Sequence, residues 1–241
     1  MRKVVIGLSG GMDSATLLGY YLSLGAEVHC CSFYYGSKHG QWEGRAANNL
    51  FEFYNQRGFP IIRHFFDLRS VFTNFQSNLL KSGGAIPEGH YDDESMRLTV
   101  VPGRNMIFAS IMAGLAESIK ADTIALGVHS GDHHIYPDCR PEFIRALMDT
   151  IEFSTDGGVR VEAPFIYEDK STILKMGYGF EQNVPYQLTR TCYKDQEKSC
   201  GKCGSCTERI FAFNELGLQD PIPYENDWNI VLKTALALKG E

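Results

Sequence analysis

The start of this chain limits its fold more than any other part. A short β-branched run over residues 3–8 passes through Ser9, Gly10, Gly11, Met12, Asp13 and Ser14 into apolar positions at helical spacing, namely Ala15, Leu17, Leu18, Tyr21 and Leu22. A continuous apolar run of this length suits a buried parallel strand. The chain then turns through two glycines directly into a helix, so main-chain N–H groups and the helix's positive end converge above the turn. Ser9 and Ser14 add hydroxyl donors, and Asp13 adds a carboxylate that can hold Mg²⁺ or position the loop. Phosphate chemistry fits this arrangement. The competing reading is a glycine turn with no ligand. Neither the Gly-Lys-Ser/Thr ending of a Walker loop nor the dinucleotide fingerprint is present.

The hydrophobic pattern beyond the loop keeps alternating between periods. It predicts strands over 27–34, 60–66, 123–128 and 159–164, and helices over 13–24, 41–57, 104–120, 142–153 and 170–177, with Gly25 closing the first helix. Such alternation implies an α/β fold with a doubly wound parallel sheet of Rossmann-like type. Residues 82–96 read as a surface excursion. Residues 191–206 are dense in Cys, Lys and Gly, and a helix is expected over 208–216. The division expected is a domain over 1–185 that carries the glycine loop, with a small segment over 186–241 packed on it.

Composition narrows the partners. Of 241 residues, 44% are hydrophobic, enough for a sizeable core, and 23 basic against 29 acidic residues leave a net charge of −6. That balance argues against a surface built to coat nucleic acid, and no stable nucleic-acid partner is expected. No run approaches the roughly 18 apolar residues of a membrane span, and Arg2-Lys3 leads straight into Val4 with no signal-peptide pattern. A cytoplasmic protein is expected, with its seven cysteines mostly reduced.

Four of those cysteines fall late, as Cys192-x7-Cys200-x2-Cys203-x2-Cys206. Soft thiolates at this spacing, with Gly201 and Gly204 loosening the turns, suit a closed tetrahedral structural Zn²⁺ site. An iron–sulfur cluster uses the same ligands. Free surface thiols are the third reading, and they oxidise readily. Lys194, Lys198 and Lys202 can offset the charge of a tetrathiolate centre.

Other polar groups gather where strands end. Arg104 opens the 104–120 helix, an unfavourable place for a cation unless an anion meets it. His129, Asp132, His133, Tyr136, Asp138 and Arg140 follow the fourth strand, at the edge where open α/β sheets bind ligands. They suit recognition of a small polar molecule, with a His/Asp metal site or a plain polar turn as alternatives. Lys38 and His39 follow the second strand, placed to face a triphosphate or an activated carbonyl, and Lys170 at another strand-to-helix junction is a second phosphate candidate.

Taken together, these motifs resemble the QueC family of 7-cyano-7-deazaguanine synthases, PP-loop enzymes of the queuosine pathway. The matching pieces are LSGGMDS at 8–14, YG-x-x-H at 35–39, VPGRN at 101–105, YPDCRPEF at 136–143 and CY…CGKCGSC at 192–206. The first is shared by many ATP pyrophosphatases, while the last two together are far more specific. The resemblance implies an adenine nucleotide alpha hydrolase type of fold, with ATP and Mg²⁺ at Leu8, Ser9, Gly10, Gly11, Met12, Asp13, Ser14, Arg104 and Lys170. Asp13, Lys38, His39 and Arg104 would be catalytic. Zn²⁺ would sit structurally on Cys192, Cys200, Cys203 and Cys206.

The implied reaction is a carbon–nitrogen ligation. ATP activates the carboxylate of 7-carboxy-7-deazaguanine, ammonia displaces the leaving group, and a second ATP activates the resulting amide so that elimination gives the nitrile. A deazapurine and free ammonia are then the partners, with a homodimer expected. This chain departs from the family's common form at Ser37-Lys38, where Gln-Arg is more usual, and over 129–134, where the common form carries Asn and a lone Asp. Rival readings are a variant that stops at the amide or takes a related deazapurine carboxylate, an RNA-thiolating PP-loop enzyme, and a zinc-dependent nucleic-acid-binding module.

Overall fold

A computed structural model of the chain describes residues 1–89 and 94–239. Five strands, β1 (Lys3–Gly7), β2 (Glu27–Tyr34), β3 (Ile61–Asp67), β4 (Thr123–Ala125) and β5 (Arg160–Glu162), form a single sheet in the order β3-β2-β1-β4-β5. Every neighbouring pair is parallel. The doubly wound sheet expected from the alternation is therefore present. Strand order reverses between β1 and β4, which opens a crevice at their carboxyl ends.

Helices cover both faces. They are α1 (Met12–Ser23), α2 (Gly40–Asn55), the short α3 (Arg69–Phe72), α4 (Arg104–Ile119), α5 (Pro141–Ser154), α6 (Lys170–Gly179), α7 (Gly204–Glu215) and α8 (Trp228–Lys239). Side chains alternate along a strand, so Val4 and Ile6 point one way and Val5 the other. Val4 and Ile6 join a core with Leu17 of α1, Leu50 of α2, Leu174 of α6 and Phe213 of α7. Val5 joins a second core with Met112 of α4, Ile124 of β4 and Leu147 of α5.

Two boundaries differ from the sequence expectation by three residues or more. β4 ends at Ala125 instead of 128 because its partner β5 ends at Glu162, whose carbonyl takes the last bond, from Leu126 N at 2.9 Å. Beyond it the chain bends toward the phosphate loop, and a Cβ on Gly127 would lie 3.5 Å from the Asp13 carbonyl. α7 begins at Gly204, four positions earlier than read, because the cysteine turn itself forms its first turn. The excursion over 82–96 includes residues 90–93, which lie outside the described residues. Just before it, Leu79 and Leu80 pack with Tyr35, Phe72 and Val101.

The carboxy-terminal part is anchored by a fully buried ion pair. Arg209 of α7 and Asp220 are both 0% exposed, with Nε 2.7 Å from Oδ2. Asp220 Oδ1, Thr189 Oγ1, Thr191 Oγ1 and the Tyr186 carbonyl accept from the two terminal guanidinium nitrogens, and Tyr224 OH donates to Asp220 at 2.7 Å. α8 packs Val231 and Ala235 on Ile210 of α7.

Candidate active site

The crevice at the switch point holds a cavity of about 470 Å³, within the usual range for small-molecule sites. Its floor is the turn between β1 and α1. Gly10 has φ +88°, and a Cβ there would come within 2.7 Å of Glu43 O and Ala47 N, so α2 can pack against the loop only if this residue is glycine. Ser14 Oγ lies 3.1 Å from Ser9 Oγ and donates to Gly11 O, while Gly11 N donates to Ser9 Oγ. The N-cap residue of α1 is Gly11, which has no side chain to cap it. Its first N–H groups are thus left for an anion above the loop.

Beside the loop lies a buried ion cluster. Lys170 opens α6, where the helix dipole disfavours a cation. Two carboxylates offset this, Glu208 Oε2 at 2.6 Å and Asp13 Oδ2 at 3.3 Å. Burial pushes the Lys170 ammonium toward its neutral form, but Asp13 and Glu208 outweigh that and hold its pKa above the ordinary value. Burial pushes the Glu208 carboxyl up against the pull of Lys170 and His129. His129, 1% exposed, places Nε2 3.8 Å from Asp13, 3.5 Å from Asp132 and 3.9 Å from Glu208. Its Nδ1 accepts the Gly131 N–H at 3.1 Å. The neutral ring therefore carries its proton on Nε2, toward the carboxylates.

The opposite wall is cationic and aromatic. Arg104 opens α4 and donates from Nη1 to Tyr35 OH at 3.2 Å. Burial works against its charge, yet Tyr35, Tyr136 and Asp138 hold its pKa above normal. His39 is buried, with Nε2 3.3 Å from Glu43 Oε1. Burial alone would raise the Glu43 carboxyl, but His39, Arg104 and Arg190 hold it below the usual range. Phe33 and Phe108 stack at 4.1 Å with 6° between planes, and both line the cavity with Tyr35 and Phe65. A flat heterocycle can lie against such a wall.

The cysteine segment supplies the remaining side. Thr191, Tyr193, Ser205 and Glu208 all line the cavity. The sulfurs of Cys192, Cys200, Cys203 and Cys206 are buried and lie within 4.8 Å of one another, Cys200 to Cys206 at 4.0 Å. Tetrahedral Zn–S bonds of about 2.3 Å put sulfurs about 3.8 Å apart, so the donor set fits one ion. Cys203 caps α7, and the N–H groups of Cys200 and Cys203 donate to the sulfurs of Cys192 and Cys200. Lys194 and Lys202 are shared with Glu88, at 2.5 and 3.1 Å, so part of the charge expected to offset the thiolates is spent there.

Residues 3–217 match the family model described as queuosine biosynthesis protein QueC. The chain belongs to the QueC family. A 7-cyano-7-deazaguanine synthase of Caldicellulosiruptor saccharolyticus is 46% identical over 231 residues, covering 95% of this chain and 99% of that one. Another, from Pseudoalteromonas atlantica, is 42% identical over 228 residues, covering 93% and 100%. Among solved structures, the NMN synthetase of Francisella tularensis superposes with a TM-score of 0.49 at 13% identity, over 98% of this chain and 83% of that one.

As a QueC protein the chain brings together most residues its sequence marked. Leu8, Ser9, Gly11, Met12, Asp13, Ser14, His39, Arg104, Asp132, Tyr136 and Lys170 line this cavity. Gly10 and His129 sit directly behind that lining, through the contacts above. Lys38, His133, Asp138 and Arg140 fall outside that lining. Lys38 Nζ donates to the carbonyls of Gly83 and Gly84. Asp138 Oδ2 accepts the Asn105 N–H at the head of α4, and Arg140 Nε donates to the His133 carbonyl. Glu43, Arg190, Tyr193 and Glu208 went unmarked, although all four line the cavity. Only Arg190 and Tyr193 carried a signal, their adjacency to Thr191-Cys192.

Proposed function

We propose that this QueC-family chain is an ATP-dependent carbon–nitrogen ligase that converts 7-carboxy-7-deazaguanine and ammonia to 7-cyano-7-deazaguanine. One observation carries the reading most of the way. The phosphate loop, Arg104 and the aromatic pair Phe33–Phe108 line the same cavity as the cysteine segment. A nucleotide and a flat carboxylate can therefore meet in one place.

In the first half-reaction a carboxylate oxygen attacks the α-phosphorus of ATP, the bond to the bridging oxygen breaks, and pyrophosphate leaves. The loop N–H groups and the first turn of α1 receive that pyrophosphate. Ammonia then attacks the acyl carbon, AMP departs, and a proton is lost to give the amide. A second ATP is attacked by the amide oxygen. Loss of AMP and a proton from the resulting imidate leaves the nitrile. The same oxygen position is activated twice, so one loop serves both halves. Donors already aimed at the developing charge, among them Arg104 and the loop N–H groups, supply the main stabilisation.

Mg²⁺ would be held by Asp13, whose Oδ1 is buried with no partner among the described residues. When bound it neutralises phosphate charge. Zn²⁺ on the four thiolates would fix the segment that carries Tyr193 and Glu208. In this reading residues 1–185 form the catalytic domain and 186–241 the segment that closes its site. No described helix is long and apolar enough to cross a membrane, and we place the enzyme in the cytoplasm, as a homodimer.

Phosphorus NMR of a complete reaction tests the bond cleaved. Release of AMP and pyrophosphate, two of each per nitrile, is expected. Release of ADP and phosphate overturns the reading.

A further inference from the structure

Glu208 joins the metal segment to the phosphate loop. It stands two residues beyond Cys206, inside the first two turns of α7, yet its carboxylate lies in the ion cluster of the active site. Lys170 Nζ is 2.6 Å from Glu208 and 3.3 Å from Asp13, with side-chain exposures of 8% and 15% for Lys170 and Glu208. The shorter contact is to Glu208. Coulomb attraction rises as distance falls, and more steeply away from water, so Glu208 draws the ammonium away from the loop carboxylate.

Two neighbours are built around this carboxylate. A Cβ on Gly131 would meet Glu208 Oε1 at 2.5 Å, so the absent side chain there makes room for it. His129, whose segment departs from the family's common form, sits 3.9 Å from the same oxygen. Glu215, two turns further along α7, accepts from Ser171 Oγ, so α7 grips the head of α6 at two points.

We propose that Glu208 is a positioning residue for the nucleotide: it holds Lys170 off Asp13, which keeps the Asp13 carboxylate available to Mg²⁺·ATP, and its own place is set by the metal-bound turn of α7. The inference rests on the reading that ATP binds over Ser9 to Ser14. Without Glu208 the ammonium closes on Asp13 and competes with the magnesium ion. The defect is one of nucleotide binding more than of turnover.

The test uses the zinc-loaded enzyme and Mg²⁺·ATP. Glu208→Gln is expected to raise KM for ATP about tenfold, the size expected for loss of one charged hydrogen bond, with kcat changed much less and zinc content unchanged. In a Lys170→Met background the same substitution should add nothing further, because the ammonium it restrains is gone. Gly131→Ala, which crowds Glu208 without removing its charge, should raise KM in the same direction. Glu215→Gln should leave KM where it was. An unchanged KM in Glu208→Gln, or an equal penalty in both backgrounds, overturns the proposal, and so does loss of zinc from Glu208→Gln. If the parent enzyme binds no ATP, the underlying functional reading fails instead.

Discussion

The main-chain N–H of Arg190 donates to the Gly10 carbonyl at 2.8 Å. This bond ties the phosphate loop to the chain that leads into Cys192, the first of the four clustered cysteines. The Arg190 guanidinium gathers the carbonyls of Lys194, Gln196 and Glu197, which order the turn between Cys192 and Cys200. The loop and the cysteine segment are therefore shaped together, although one begins the chain and the other lies near its end.

Metal removal should accordingly reach the nucleotide. Displacing the ion with a mercurial thiol reagent is expected to release one equivalent of zinc. Helical signal from the main sheet's helices should persist, while Mg²⁺·ATP should lose most of its stabilising effect on thermal unfolding. A metal-free protein with the full ATP-induced shift would separate the two sites.

Gly10→Ala should be severe for a local reason. The added methyl meets backbone atoms at 2.7 Å, and φ of +88° is strained for any L side chain. Folding stability is expected to fall by about 2 kcal/mol or more, with no measurable ATP-induced shift. A variant that binds ATP like the parent would show that α2 can yield at this contact.

The Arg209–Asp220 pair predicts an asymmetry. Asp220→Asn leaves a guanidinium buried without its counter-charge and should cost about 3–5 kcal/mol in denaturant unfolding. A paired Arg209→Met, Asp220→Leu protein should recover a large part of that loss. Equal destabilisation by the single and double variants would contradict this.

Arg104→Lys keeps the charge but loses the planar fork that fits a carboxylate. With the deazapurine carboxylate varied, kcat/KM is expected to drop by about 10- to 100-fold, equivalent to about 1.4–2.7 kcal/mol. A smaller loss would show that the charge of Arg104 suffices without its planar fork.

Much of this was readable along the chain, and the parts that were not share a cause. The strand, glycine turn and helix around Ser9 to Ser14 are local, so spacing alone revealed them. The four cysteines were visible for the same reason. Trp228, Val231, Leu232 and Ala235 repeat at helical intervals and form α8, beyond the last helix expected from the sequence. Glu43 and Glu208 could not be found. Each looks like an ordinary helix-surface acid until Gly10 brings α2 to the loop, or the cysteine turn aims α7 at Lys170. Lys38 and Asp138 were marked because they end strands or follow them, but whether such a side chain enters the cavity or holds a neighbouring loop is decided by tertiary packing.

The most direct measurement is the mass of the product formed by purified, zinc-loaded protein from 7-carboxy-7-deazaguanine, ammonium, Mg²⁺ and excess ATP. The nitrile is expected as the final species, with the amide appearing first and then consumed. Accumulation of the amide alone, or recovery of the carboxylate unchanged while ATP binds, would contradict the assignment.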